Sequence, residues 1–229
     1  MTFPRESRDP VRNRGRAPAL ASRIAKRVID VAGSAAVLAA TAPVLGAAAL
    51  LVLGTMGRPV LFRQRRPGWH GEPFEVIKFR TMRLSRSAAV SAQDDAARLT
   101  AVGRLLRATS IDELPTLISV LKGDMSLVGP RPLLMQYLDR YTPEQARRHD
   151  VKPGITGWAQ INGRNALSWQ KKFDHDVWYV DHWSFALDLE ILARTAWKVI
   201  RREGISHAGE ATMPEFMGTQ SPVPDGARS

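Results

Sequence analysis

VAGSAAVLAATAPVLGAAALLVLGTMG, residues 31–57, runs for 27 residues without a charged side chain. A stretch of about eighteen apolar residues or more marks a membrane segment. Pro43 stands near its middle. A proline there removes one helix hydrogen bond and crowds the preceding turn, so a kink is predicted. Each half holds roughly a dozen residues, or about 18–21 Å of helix, which is short of a hydrocarbon core of about 30 Å. Both flanks are basic, with Lys26 and Arg27 before the run and Arg58, Arg63, Arg65 and Arg66 after it. Positive flanks prefer the cytoplasmic side, and two of them on one side require a re-entrant hairpin that turns at Pro43. A single spanning helix is the main alternative. A secretory signal peptide fits less well, because both the run and the polar stretch before it are too long. A buried core helix is disfavoured by the lack of any polar face.

The whole chain has 229 residues, with Lys+Arg 33 against Asp+Glu 22 and a net charge of +11. Such a balance suits an anionic partner: nucleic acid, anionic lipid or a phosphorylated metabolite. The mean hydropathy of −0.20 excludes a multi-spanning membrane protein. With no cysteine present, disulfides, zinc–thiolate sites, iron–sulfur clusters and cysteine nucleophiles are excluded. Four zones are expected: a disordered basic tail at 1–20, a membrane helix-break-helix at 21–57, a mixed globular domain at 58–203 and a flexible C-terminal tail at 204–229.

The globular zone reads as α+β and mostly helical. Residues 59–63 and 74–79 alternate around the turn at 68–71 and predict a small β-hairpin. The Ser- and Ala-rich stretch 84–99 reads as a surface loop or weak helix. Helices are predicted at 103–108, from 111 to the stop at Gly123, at 133–140, 143–150, 168–181 and 185–202, with short strands at 125–128 and 158–161. Six tryptophans, five of them after residue 157, fit either a membrane-interface belt or a core.

Chemistry gathers in the middle. TSIDELP, residues 109–115, sets Asp112 beside Glu113 at a helix start. Ser110-x-x-Glu113 also fits an ordinary capping box, and acids suit a first helical turn. The surroundings favour more than capping. GDMSLVGPRP, residues 123–132, is a Gly/Pro-punctuated loop that presents Arg131. Lys78 and Arg80 end a predicted strand, and Arg107 precedes the acids by five residues. Paired carboxylates among such cations suggest a metal-bridged phosphate site. The dinucleotide and P-loop glycine fingerprints are missing, as is HExxH, and His175 and His182 read as ordinary helix histidines. No RNP or helix-turn-helix pattern supports nucleic acid as a partner.

Three blocks in order, KFRTM (78–82), TSIDELPTLISVLKGDMSLVGPRP (109–132) and KPGITGWAQINGR (152–164), resemble the bacterial sugar transferase family over about residues 22–203. The likeness is to its small, catalytic-domain-only, monotopic polyprenyl-phosphate phosphoglycosyl transferases. The resemblance implies a re-entrant membrane hairpin broken at Pro43 and a catalytic domain on the cytoplasmic face of the bacterial inner membrane. It implies that Asp112 attacks a UDP-sugar to give a phosphosugar–aspartyl intermediate, with Glu113 assisting and Mg²⁺ held by Asp112 and Glu113. Undecaprenyl phosphate would accept the sugar phosphate, UMP would leave, and assembly of a membrane glycan would begin. Lys78, Arg80, Arg107 and Arg131 match phosphate-binding positions. Anionic inner-leaflet lipid and a second copy of the chain, as a homodimer, are further expected partners. The family often has Ser before the hairpin proline, where this chain has Ala42, with Thr41 as its substitute. The rival reading is a non-catalytic, membrane-tethered basic module that binds anionic partners.

Overall fold

The computed structural model describes residues 20–84, 98–163, 167–201 and 215–218. The expected basic tail before Leu20 and most of the expected loop at 84–99 therefore lie outside the described residues. At the neck of that loop the Arg83 amide donates to the Arg98 carbonyl at 3.0 Å, and Met82 bridges to Leu99.

Helix α1 spans Leu20–Met56 as one helical element with Pro43 inside it. The expected break between two helices is therefore not present, because helical bonding resumes on both sides of the proline. Pro43 has no N–H for the Ala39 carbonyl. The Thr41 hydroxyl donates to the Val37 carbonyl at 2.7 Å instead, so it does not fill the gap that Pro43 leaves.

Two patches dock α1 on the globular body. Near its start, Asp30 is buried and its Oδ1 accepts from the Ser126 hydroxyl at 3.0 Å and the Leu127 amide at 2.9 Å. Lys26 pairs with Asp188 at 2.6 Å. Near its end, Ala48 and Val52 are buried against Phe79 and Leu106, with Leu45, Ala49 and Met56 beside them. No residue from 35 to 44 is buried.

Strands β1 (Leu61–Pro67) and β2 (Pro73–Phe79) form the expected antiparallel hairpin, with Leu61 opposite Phe79 and Pro67 opposite Pro73. The other edge of β2 meets side chains rather than a third strand. The Thr116 hydroxyl donates to the Ile77 carbonyl at 2.8 Å, and that of Ser119 to the Glu75 carbonyl at 3.1 Å. Helix α2 (Ala101–Ala108) leads to a 3-10 turn (Ile111–Thr116), helix α3 (Leu117–Lys122) and β3 (Ser126–Val128). A second 3-10 turn (Met135–Arg140), helix α4 (Pro143–Ala146) and a third 3-10 turn (Arg147–His149) follow.

Strand β4 (Gly154–Thr156) lies parallel to β3. Residues 158–161, expected as a strand, form helix α5 (Trp158–Ile161) instead. The strand sits four residues earlier, in a stretch that reads as a loop. It exists because backbones meet there: a Cβ on Gly154 would lie 2.1 Å from the Gly129 nitrogen, and one on Gly129 2.3 Å from the Lys152 carbonyl. Only glycine permits that approach. Helices α6 (Trp169–His182) and α7 (Phe185–Arg201) close the domain. Val128, Ile161, Tyr179, Leu187 and Ile191 form the core between them. Trp158 and Trp178 stack at 4.6 Å, which is packing within the protein, whereas Trp197 is left exposed.

Within the stretch expected as a flexible tail, four residues are described. Residues 215–218 lie against the body, with Phe216 buried.

Replacing Asp30 with Ala removes the acceptor from a buried amide and hydroxyl, at a cost of about 1–3 kcal/mol. The expected fall in Tm in detergent is roughly 3–10 °C, and Asp30→Asn, which keeps an acceptor oxygen, is expected to lose less.

Candidate active site

The acidic pair sits where three elements meet. Asp112 and Glu113 lie in the first 3-10 turn, just after Ser110, whose backbone is left-handed at φ 56°. A residue with a Cβ is rarely held there without support from its surroundings. The Ser110 side chain makes no cap hydrogen bond, so the capping box that the spacing allowed is not formed. The turn instead points its two acids into different environments.

Glu113 is clamped. Its Oε1 accepts from Lys78 Nζ at 2.7 Å and Arg131 Nη2 at 2.6 Å, and its Oε2 faces Arg131 Nη1 at 3.3 Å. Burial alone would raise its pKa, but Arg131 and Lys78 hold it far below the usual carboxylate range. The Lys78 ammonium is itself lowered by burial and by Arg131, against the pull of Glu113.

Asp112 is the opposite case. It is only 9 % exposed, and among the described residues no group donates a hydrogen bond to its carboxylate. Burial and then the neighbouring charge of Glu113 push its pKa up to about 6, against Lys78, Arg107 and Arg131. Two adjacent carboxylates are thus driven apart: one is permanently ionised and occupied, and the other is basic and unpartnered. Such a split is how a site assigns different work to like groups.

The cations expected around the pair divide as well. Lys78, Arg107 and Arg131 all act on Asp112. Arg107 extends from the last turn of α2 and its Nε donates to the Thr81 hydroxyl at 3.0 Å. Arg80, expected as a phosphate ligand, is elsewhere. It is buried and donates to the carbonyls of Met56, Gly57 and Arg58 at 2.5, 2.6 and 3.3 Å. Those carbonyls are the unsatisfied end of α1, which a cation both bonds and stabilises. Arg80 is a helix cap in this fold.

Sequence reading missed two contributors. Arg66 donates to the Gln64 side chain at 2.6 Å, and its guanidinium is lowered to about 10 by burial and by Arg131. Arg148 is fully buried and pairs with Asp176 at 2.7 Å. Its Nη2 also donates to the Arg131 carbonyl at 2.8 Å. No spacing signals that pair, since its partners lie 28 residues apart.

Lys78, Arg107 and Arg131 against two carboxylates, with Arg66 acting on Arg131, leave a local positive excess that suits a phosphorylated anion. Among the described residues no cluster of three or more His, Asp or Glu could hold a metal. Mg²⁺ commonly needs only one or two carboxylates, with substrate phosphates and water completing its shell. Asp112, with its oxygens free, fits that role. Glu113 fits it only through Oε2, since Oε1 already has two donors.

Glu113→Gln removes a like charge from beside Asp112 and releases Lys78 and Arg131 to act on it. The Asp112 pKa is expected to fall from about 6 toward the ordinary aspartate range. Carboxyl ¹³C titration, with Asp112→Asn to assign the resonance, measures the shift.

A profile of the bacterial sugar transferase family matches residues 21–202. The "Uncharacterized sugar transferase EpsL" of Bacillus subtilis is 55% identical over 196 residues, covering 86% of this chain and 97% of that protein. The "UDP-glucose:undecaprenyl-phosphate glucose-1-phosphate transferase" of Caulobacter vibrioides is 43% identical, covering 79% of this chain and 72% of its own. The Escherichia coli protein of the same description is 40% identical over 77% of this chain, but the match spans only 40% of that longer protein. A match over residues 21–202, most of the length, shows that this chain belongs to the bacterial sugar transferase family.

Proposed function

We propose that this chain transfers a sugar 1-phosphate from a UDP-sugar to undecaprenyl phosphate and releases UMP. The descriptions of its relatives support the reaction class. The observation that carries the reading is the unpartnered Asp112 carboxylate, raised to about 6, beside a Glu113 held by Lys78 and Arg131.

Asp112 is the nucleophile. A carboxylate with no hydrogen bond to break and an elevated pKa is more basic than an ordinary surface aspartate, and it is still mostly ionised at neutral pH. One of its oxygens attacks the β-phosphorus of the donor. The bond from that phosphorus to the bridging oxygen breaks, and the oxygen leaves on UMP. An oxygen of undecaprenyl phosphate then attacks the same phosphorus, and the Asp112 carboxylate departs unchanged. Lys78, Arg107 and Arg131 offset the charge that would otherwise repel a carboxylate from a diphosphate. Glu113 sets the positions of Lys78 and Arg131. Asp112, with Oε2 of Glu113 and the substrate phosphates, would hold Mg²⁺, which when bound supplies further positive charge to the diphosphate.

A lipid-borne acceptor requires the site to sit at the bilayer surface. Helix α1 is long and apolar enough to enter a membrane, yet both of its ends dock on one body. The stretch between the patches, residues 35–44, amounts to about 15 Å of helix, half of a core of about 30 Å. That stretch is too short to cross, which favours a helix seated in one leaflet over a span, and the basic residues at both flanks, Lys26 and Arg27 before it and Arg58, Arg63, Arg65 and Arg66 after it, favour the cytoplasmic face for the domain.

Two outcomes are expected. UMP release from a UDP-sugar falls at least about a thousand-fold in Asp112→Asn. In the unchanged protein, kcat/KM drops about ten-fold per pH unit below the Asp112 pKa of about 6. Intact-mass analysis with donor alone should add one phosphosugar to Asp112, and ordinary turnover in Asp112→Asn would exclude the mechanism. Tags at the two termini should be protected together in sealed vesicles of inner-membrane orientation, whereas tags on opposite sides would indicate a spanning helix.

A further inference from the structure

Residues 215–218 lie beyond the family match, which ends at residue 202, yet they are fastened close behind the active site. Phe216 is buried in a box of aromatic rings. Its centroid lies 4.9 Å from Phe173, 5.6 Å from Trp169, 5.7 Å from Tyr137 and 5.9 Å from Tyr141. The Phe216 amide donates to the Tyr137 hydroxyl at 3.2 Å, and Arg140 Nη1 donates to the Phe216 carbonyl at 2.5 Å. Glu215 pairs with Arg140 at 2.8 Å.

Two walls of that box also flank Arg148, which Asp176 of α6 pairs from the same side as Phe173. Its guanidinium lies 5.7 Å from the Tyr141 ring and 5.5 Å from that of Phe173, and its Nη1 donates to the Tyr141 hydroxyl at 3.1 Å. Arg148 in turn bonds the Arg131 carbonyl, and Arg131 clamps Glu113. An unbroken line of contacts therefore runs from Phe216 through Tyr141 and Phe173 to Arg148, Arg131 and the acidic pair.

We infer that residues 215–218 are an anchor seated by Phe216, and that Phe216 is a positioning residue that holds Arg131 in its donor-binding setting through Tyr141, Phe173 and Arg148. The inference rests on the proposed reaction for its kinetic readout. The anchor itself is a short, non-helical segment held by one inserted ring, two main-chain bonds, one ion pair and a hydrogen bond from the Gln136 side chain to Glu215. It can be removed without cutting any helix or strand of the domain. Emptying the box frees Tyr141 and Phe173 to shift toward the void, and Arg148 shifts with them. Arg131 then loses its fixed distance from the phosphates, which weakens donor binding before it touches the nucleophile.

The test compares the full chain with Phe216→Ala, Phe216→Tyr and a chain ending after residue 214, all in detergent. Two readouts are used: UMP release with a UDP-sugar, and binding of UDP alone by calorimetry. Phe216→Ala and the shortened chain should raise the donor KM and the UDP Kd about ten-fold or more, with kcat changed less than about three-fold. Phe216→Tyr should restore both. A synthetic peptide of residues 211–220 should bind the shortened chain and recover the lost UDP affinity, and the same peptide with Phe216→Ala should not. Unchanged KM and UDP Kd in Phe216→Ala overturn the inference. So does a proportional loss of kcat and Tm with no change in UDP Kd, which marks a mere brace. If the full chain turns over no UDP-sugar, the proposed reaction fails by itself, and UDP affinity with peptide rescue still decides the anchor.

Discussion

The clamp on Glu113 is the constraint from which the rest of the site follows. Three segments distant in sequence contribute to it: β2 through Lys78, the 3-10 turn through Glu113, and the loop after β3 through Arg131. A carboxylate withdrawn from water is costly unless paired and hydrogen-bonded. Here two cations supply that pairing, so the elements that bear them must meet at one point. The same clamp is what leaves Asp112 alone. Any cation that bonded Asp112 as tightly would depress its pKa and occupy the oxygens that the proposed reaction requires to be free. Lys78 and Arg131 give their hydrogen bonds to one acid, while their charge is felt by both.

Several other cations serve the architecture, and the net charge of +11 overstates what is available to a ligand. Arg80 closes the carbonyl end of α1. Arg27 does the same for α3, donating to the carbonyls of Val120 and Leu121 at 2.6 and 2.9 Å. Lys26 is neutralised by Asp188, and Arg148 by Asp176. Basic residues in a chain of this kind answer to two claims, the end of a helix and the phosphate of a substrate, and only the fold decides between them.

That competition explains what the sequence could and could not disclose. The acidic pair, Lys78, Arg107 and Arg131 were legible because each stands in a compact block with its neighbours. Arg80 stands in the same block as Lys78 and was read alike. The chain has already left β2 at Phe79, however, and its side chain goes to the end of α1 rather than to the acids. No count of charges reveals an open row of carbonyls. The hairpin was legible from its alternation. The parallel β3–β4 pair was not, because it depends on Gly129 and Gly154 bringing backbones together across 25 residues of chain. Residues 158–161 misled because four residues are too few for a period to show. Phe216 carried no signal at all, since a single aromatic residue in a Gly/Pro-rich tail gives no hint of a box built from two other segments.

The ties on α1 also bear on how a membrane enzyme presents its site. Arg80 lies two residues from Lys78, and it caps the end of α1. Arg27, near the start of α1, caps α3, which begins where the catalytic turn ends. One end of the apolar helix is thus fixed two residues from Lys78, which bonds Glu113, and the other to the helix that follows the acidic turn. A flexible linker would let the domain drift from the lipid and present its acids at varying depth. In the proposed reaction one substrate is dissolved and the other embedded in lipid. A nucleophile that meets each in turn needs a fixed height between them, and rigid capping of the backbone ends of α1 and α3 by two arginines is suited to setting it.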